Sequence, residues 1–84
     1  MQLEQALGSV LREIRKERGL SQEALALDAG VERNYISLIE LGRNSASVRI
    51  IFKVCTVLGV APSSVFVRAE ELMQSSGRKR PAKR

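Results

Sequence analysis

Apolar residues in this chain fall into five runs with helical spacing, and most runs stop at a glycine. Leu3, Leu7, Val10, Leu11 and Ile14 recur at intervals of three and four, with Glu4, Arg12, Glu13, Lys16 and Glu17 between them. That pattern predicts an amphipathic helix ending before Gly19. Ser21 is placed to cap a second helix, and Leu20 with Leu25 has the spacing of a hydrophobic staple, although Ala24 leaves the capping box incomplete. The second helix turns Leu25, Ala26 and Ala29 inward and stops at Gly30, where a positive φ costs little. A third helix, predicted from Glu32 to about Leu41, has Ile36 and Ile39 as its inward pair and ends at Gly42.

Beyond the loop Arg43 to Ala46, Ser47 caps a fourth helix whose expected inward stripe is Val48, Ile51, Phe52, Cys55 and Leu58. Gly59 stops it. Pro62 suits the first turn of a fifth helix with Val65, Phe66, Ala69, Leu72 and Met73 at helical spacing. No segment reads as a strand, because the β-branched residues of the fourth helix lie within a pattern too long for one. The expectation is an all-α, compact five-helix domain over residues 1–74, followed by a polar tail over residues 75–84. Having no apolar residue larger than alanine, the tail is expected to be disordered.

Composition narrows the function. Eighty-four residues make one domain, near the lower limit for a core that needs no metal or disulfide. One cysteine and no histidine exclude a disulfide framework and most zinc chemistry, so no metal and no cofactor is expected. Cys55 reads as a small buried thiol. With no nucleophile–base pair, no paired carboxylates in an evident cleft and no phosphate-cradling glycine loop, an enzyme is not expected. No apolar run reaches the length of a membrane span and no signal-peptide pattern opens the chain, so the expected location is the cytoplasm. The net charge of +5 belongs to the tail: Arg78, Lys79, Arg80, Lys83 and Arg84 carry it, while residues 1–77 hold nine basic and nine acidic side chains. A high isoelectric point therefore says nothing about the domain itself, and the tail is expected to add sequence-independent phosphate binding or to reach a minor groove.

The second and third helices carry the functional signal. Two short helices joined by a tight glycine turn, spanning about residues 21–41, form a helix-turn-helix. In that arrangement one helix crosses the phosphate backbone and the other presents its first turn to base edges in the major groove. Glu32, Arg33, Asn34 and Ser37 lie on the side away from Ile36 and Ile39 and form that front. Arginine matches the N7 and O6 acceptors of guanine, and asparagine can accept from and donate to adenine. Tyr35 can stack, touch a thymine methyl or hold a phosphate. Ser21 and Gln22, at the start of the second helix, and Arg43 and Asn44, beyond the third, are the phosphate candidates.

The segment "IRKERGLSQEALALDAGVERNYISLIELGRNSASV", with a weaker extension to "LGV", resembles the phage repressor and Cro type of helix-turn-helix regulator, the Xre family. "GLSQEALA", "YISLIE" and Gly42 are its most specific parts, and "ERNYIS" is similar to the "DRTYIS" of restriction–modification controller proteins. The resemblance implies a lambda-repressor-like fold and a sequence-specific regulator that binds double-stranded DNA as a homodimer on a (pseudo)palindromic operator. It implies Gln22, Arg43 and Asn44 on the backbone, Arg33, Asn34 and Ser37 on bases, and a structural salt bridge between Arg15 and Glu40. The chain departs from the pattern at Glu32, where a shorter capping residue is usual, and at Leu41 and Ala46. A surplus of apolar residues, Ile50, Val54 and Val57 on the fourth helix with Val67 and Met73 on the fifth, predicts the homodimer interface. RNA polymerase is a further possible partner. An antitoxin that binds a toxin protein and autoregulates its operon is the alternative reading.

Overall fold

The chain reverses direction by one device, repeated at four helix ends. The computed structural model describes residues 1–76. It contains α1 (Leu3–Glu17), α2 (Gln22–Ala29), α3 (Arg33–Glu40), α4 (Val48–Leu58) and α5 (Pro62–Ser76). After α2, the Gly30 N–H donates to the Leu27 carbonyl at 3.2 Å and the Val31 N–H to the Ala26 carbonyl at 3.0 Å. This paired closure consumes two orphan carbonyls and needs a left-handed residue, supplied by Gly30 at φ +74°. The same pair of bonds closes α1 at Gly19 and Leu20, α3 at Gly42 and Arg43, and α4 at Gly59 and Val60. At the opposite ends, the Ser21 hydroxyl accepts from the Ala24 N–H at 3.0 Å and the Ser47 hydroxyl from the Ile50 N–H at 3.2 Å.

Helices this short are stable only by burying their apolar residues together. The core takes Ala6, Leu7, Val10, Leu11 and Ile14 from α1, Leu25, Ala26 and Ala29 from α2, and Ile36 and Ile39 from α3. Ile51, Val54, Cys55 and Leu58 of α4, with Val65 and Ala69 of α5, complete it. α1 packs against both α3 and α5, while α2 packs against α3 and α4, so α3 rests on two helices at once. Longer ties add to this: the Arg18 Nε donates to the Leu58 carbonyl at 2.8 Å, and Arg68 meets Glu13 at 2.6 Å. Burial pushes the Cys55 thiol pKa up, which makes it unreactive.

α4 corrects the sequence reading. Val48 is 71% exposed and Phe52 54% exposed, so neither belongs to the inward stripe. Val54, expected to face a second subunit, is only 3% exposed and sits in the core. The reason is rotational. α4 carries apolar residues around most of its circumference, and periodicity alone leaves the buried arc open. Packing against α2 selects the arc of Ile51, Val54, Cys55 and Leu58, leaving Val48 and Phe52 beside Arg49, Lys53 and Thr56 on the outer side. Phe66 of α5 is likewise at the edge of the core, where it lines a cleft of about 110 Å³ with Leu3, Leu7, Ile39 and Ile51. α3 begins one residue later and ends one earlier than predicted, with Glu32 and Leu41 as its caps. The polar tail lies outside the described residues apart from Ser75 and Ser76, which extend α5 beyond its expected end. No single helix among the described residues is long and apolar enough to cross a membrane.

Candidate nucleic-acid interface

α2 and α3 are separated by only Gly30, Val31 and Glu32, and the glycine closure sends the chain directly into the next helix. Ile36 and Ile39 face the core, which leaves the first turn of α3 pointing out: Glu32, Arg33 and Asn34 are exposed, and Tyr35 and Ser37 are half-buried. Glu32 is the N-cap residue in extended backbone, with no side-chain hydrogen bond to the helix. Its carbonyl accepts from the Tyr35 N–H at 3.0 Å. The carboxylate therefore stands beside the positive end of the helix without satisfying an orphan N–H, as expected of a side chain too long to cap well.

Behind this front runs a chain of polar contacts from core to surface. The Arg15 Nε donates to the Glu40 Oε2 at 2.6 Å, and the Arg15 Nη2 to the Glu40 Oε1 at 3.0 Å, a bidentate pair between α1 and α3. The Arg15 Nη1 donates to the Leu20 carbonyl at 2.8 Å. With side chains 9% and 3% exposed, the two charges are buried and depend on each other. The hydrogen bond to Glu40, reinforced by its charge, outweighs burial and raises the Arg15 pKa. On the outer side, the Gln22 Nε2 donates to the Glu40 Oε1 at 2.9 Å. The Arg33 Nη1 then donates to the Gln22 Oε1 at 3.2 Å.

This chain adds to the sequence reading of Gln22. Its amide, a phosphate candidate from the sequence, also has its N–H₂ group turned to Glu40 and its oxygen to Arg33. A spacing in the sequence points to the arrangement. Arg33 and Glu40 are seven residues apart, two turns of one helix, and so share a face. Gln22 bridges both ends of that line, and Arg15 anchors it in the core. The structure thus brings Arg15, Glu40, Gln22 and Arg33 together. Ser21 is committed to capping α2 through its hydroxyl. Arg43 and Asn44 are exposed beyond the C-terminal end of α3, away from Arg33. Of the residues read as a dimer surface, Val67 is 50% exposed, while Ile50, Val57 and Met73 are half-buried against the core.

The chain matches the Helix-turn-helix family HTH_3 over residues 11–65. Control protein C.BamHI of Bacillus amyloliquefaciens is 39% identical to it over 59 residues, 69% of this chain and 73% of that protein. Control protein C.MunI of a Mycoplasma species is 35% identical over 65 residues, 76% of this chain and 88% of that one. Among solved structures, the clp gene regulator ClgR from Corynebacterium glutamicum superposes with a TM-score of 0.90 at 30% identity, covering 94% of this chain and 84% of its own. The restriction-modification controller protein C.AhdI from Aeromonas hydrophila gives 0.72 at 37% identity, covering 74% and 94%. Fold, motif and relatives agree: the chain belongs to the HTH_3 (Xre/Cro-type) family of helix-turn-helix, DNA-binding transcriptional regulators, which are not enzymes.

Proposed function

We propose that this regulator binds a specific duplex operator as a homodimer, with α3 in the major groove of each half-site. The observation that carries the reading is the exposed Arg33 guanidinium, held at the first turn of α3 by the Gln22 oxygen. A guanidinium oriented before binding loses less freedom when it meets the two acceptors of a guanine. Asn34, Ser37, Tyr35 and Glu32 complete the base-facing set. Ser21 and Gln22 on one flank, and Arg43 and Asn44 on the other, lie where the two phosphate strands bordering the groove pass. Gln22 then acts twice, fixing Arg33 through its oxygen and approaching the backbone with its remaining N–H.

The pairing surface in this reading lies on the C-terminal helices. Val48 and Phe52 of α4 and Val67 of α5 are the large apolar side chains that these helices leave about half or more exposed. Burying them against a second copy removes apolar surface from water and sets two α3 helices about one turn of DNA apart. Regulation of transcription follows from where the operator lies relative to a promoter, in the cytoplasm. Selection of bound sequences from random duplexes tests the whole reading, with two inverted half-sites centred roughly 10 base pairs apart as the expected result. Recovery of a single, unrepeated site counts against the dimer, and recovery of no common sequence counts against specific recognition.

A further inference from the structure

We propose that Gly8, on α1 and outside the helix-turn-helix, is a positioning residue for DNA recognition. The proposal rests on α3 being the groove-reading helix. A Cβ at position 8 would lie 2.1 Å from the Ile39 carbonyl oxygen and 2.9 Å from the Glu40 carbonyl oxygen. Both are backbone atoms of the last turn of α3, so no side chain can rotate away to make room. The opposite side of the seam is also close: a Cβ at Gly42 would come within 2.8 Å of the Gln5 Cα. Gln5 and Gly8 are one turn apart on α1, and Ile39 to Gly42 is the C-terminal end of α3 with its closure. Two helices therefore meet backbone to backbone at this point.

The consequence reaches the DNA-facing front through Glu40. Gly8 and Arg15 are seven residues apart and share a face of α1, and both engage Glu40, one at its backbone and the other at its carboxylate. An added methyl at position 8 forces the two helices about 1 Å apart to restore ordinary contact. Hydrogen bonds of 2.6 to 3.0 Å between Arg15 and Glu40 do not survive that movement unchanged. Gln22 follows Glu40, and Arg33 follows Gln22. The close seam thus fixes where the Arg33 guanidinium stands, 25 residues away in sequence.

Gly8→Ala tests this, measured on a duplex selected from random DNA by the natural protein and on a scrambled duplex of equal length. Val65→Ala is the control, because it hollows the core at a fully buried site on α5 without pressing on α3. At a temperature where both variants are folded by circular dichroism, Gly8→Ala is expected to lose about tenfold or more on the selected duplex, the equivalent of one base contact. Its affinity for the scrambled duplex should stay within about twofold, since phosphate contacts tolerate small shifts. Val65→Ala should keep both affinities. Equal affinity of Gly8→Ala and Val65→Ala for the selected duplex overturns the proposal. If Gly8→Ala does not fold, Gly42→Ala presses on the same seam from the loop side under the same criteria, with Gly59→Ala as its control, because Gly59 has the same left-handed backbone (φ +72°) and open space around it. If neither folds, the seam is a stability element only and the proposal fails. Arg33→Ala, run in parallel, separates the two readings: if it leaves specific binding intact, the groove assignment of α3 is wrong, whatever Gly8→Ala does.

Discussion

The two ends of the domain are specified in different ways. From α1 to α3, directed contacts reinforce the apolar core: Arg15 to Glu40, Gln22 to Glu40, Arg33 to Gln22, and a backbone seam at Gly8. From α4 to α5, the directed ties are fewer, Arg18 to the Leu58 carbonyl and Arg68 to Glu13, so apolar burial carries more of the positioning, and large side chains such as Val48, Phe52 and Val67 remain outside. The first half tolerates little movement because a hydrogen bond weakens within tenths of an ångström. Both halves leave large apolar side chains exposed, Leu27 of α2 at 80% among them, and on the outer sides of α4 and α5 they suit a face meant for association. A reader of DNA needs the first kind of construction at the groove, whereas a pairing face needs only shape and area.

The contrast breaks most readily at Glu40. Glu40→Ala removes the carboxylate that meets Arg15 and leaves a buried guanidinium uncompensated, at a cost of about 3 to 5 kcal/mol. For a domain of this size the melting temperature should fall by about 15 °C or more, as read by calorimetry. Little change would mean that burial alone holds the N-terminal half, and the contrast would vanish.

Next in size is a pair of neighbours on α4. Ile51→Ala should cost about 2 to 5 kcal/mol in urea unfolding, because Ile51 is buried. Phe52→Ala should stay within about 0.5 kcal/mol in the monomer, despite removing a larger side chain. The same Phe52 position read as a pairing face makes Phe52→Glu a test of association. The expected result is a monomer in analytical ultracentrifugation with unchanged folding, and an unchanged dimer assigns pairing to another surface.

The sequence alone allowed one half of the molecule to be read more fully than the other. Helix number, the glycine stops at Gly19, Gly30, Gly42 and Gly59, and the serine caps are local chemistry and were legible in full. The inward residues of α1 and α3 were legible because each has a single apolar stripe, whereas α2 also carries Leu27 outward, 80% exposed. α4 has two stripes, and its rotation is decided by α2, which no local pattern contains. The bridging role of Gln22 was hidden for a related reason. Its partners come from two other helices, and only the seven-residue spacing of Arg33 and Glu40 hints at the meeting. Gly8 does not stand out in the sequence, because a close backbone approach leaves no sign in hydrophobic periodicity.

Smaller effects sharpen the comparison. Arg33→Ala should leave stability unchanged, since the residue is exposed, while costing about 1 to 3 kcal/mol on the selected operator and relaxing preference at one base pair. Fluorescence anisotropy on single-base variants of that operator checks it. Equal losses on all sequences would make Arg33 a phosphate contact. Last comes Ser21→Ala, which removes the cap of α2 and should cost about 1 kcal/mol in thermal unfolding. A clearly larger loss would show that Ser21 also supports the polar chain beside it.

The repeated glycine closures also bear on how quickly the protein becomes competent. Each joins residues no more than five apart, such as Val31 to Ala26 and Val60 to Cys55, so a helix can finish itself before its packing partners arrive. Helical domains dominated by such short-range contacts fold in about microseconds to milliseconds. Translation of a chain this short takes seconds at about 5 to 20 residues per second, far longer than its folding. The delay between making this regulator and its action on a promoter is then set by synthesis and accumulation, with folding contributing almost nothing.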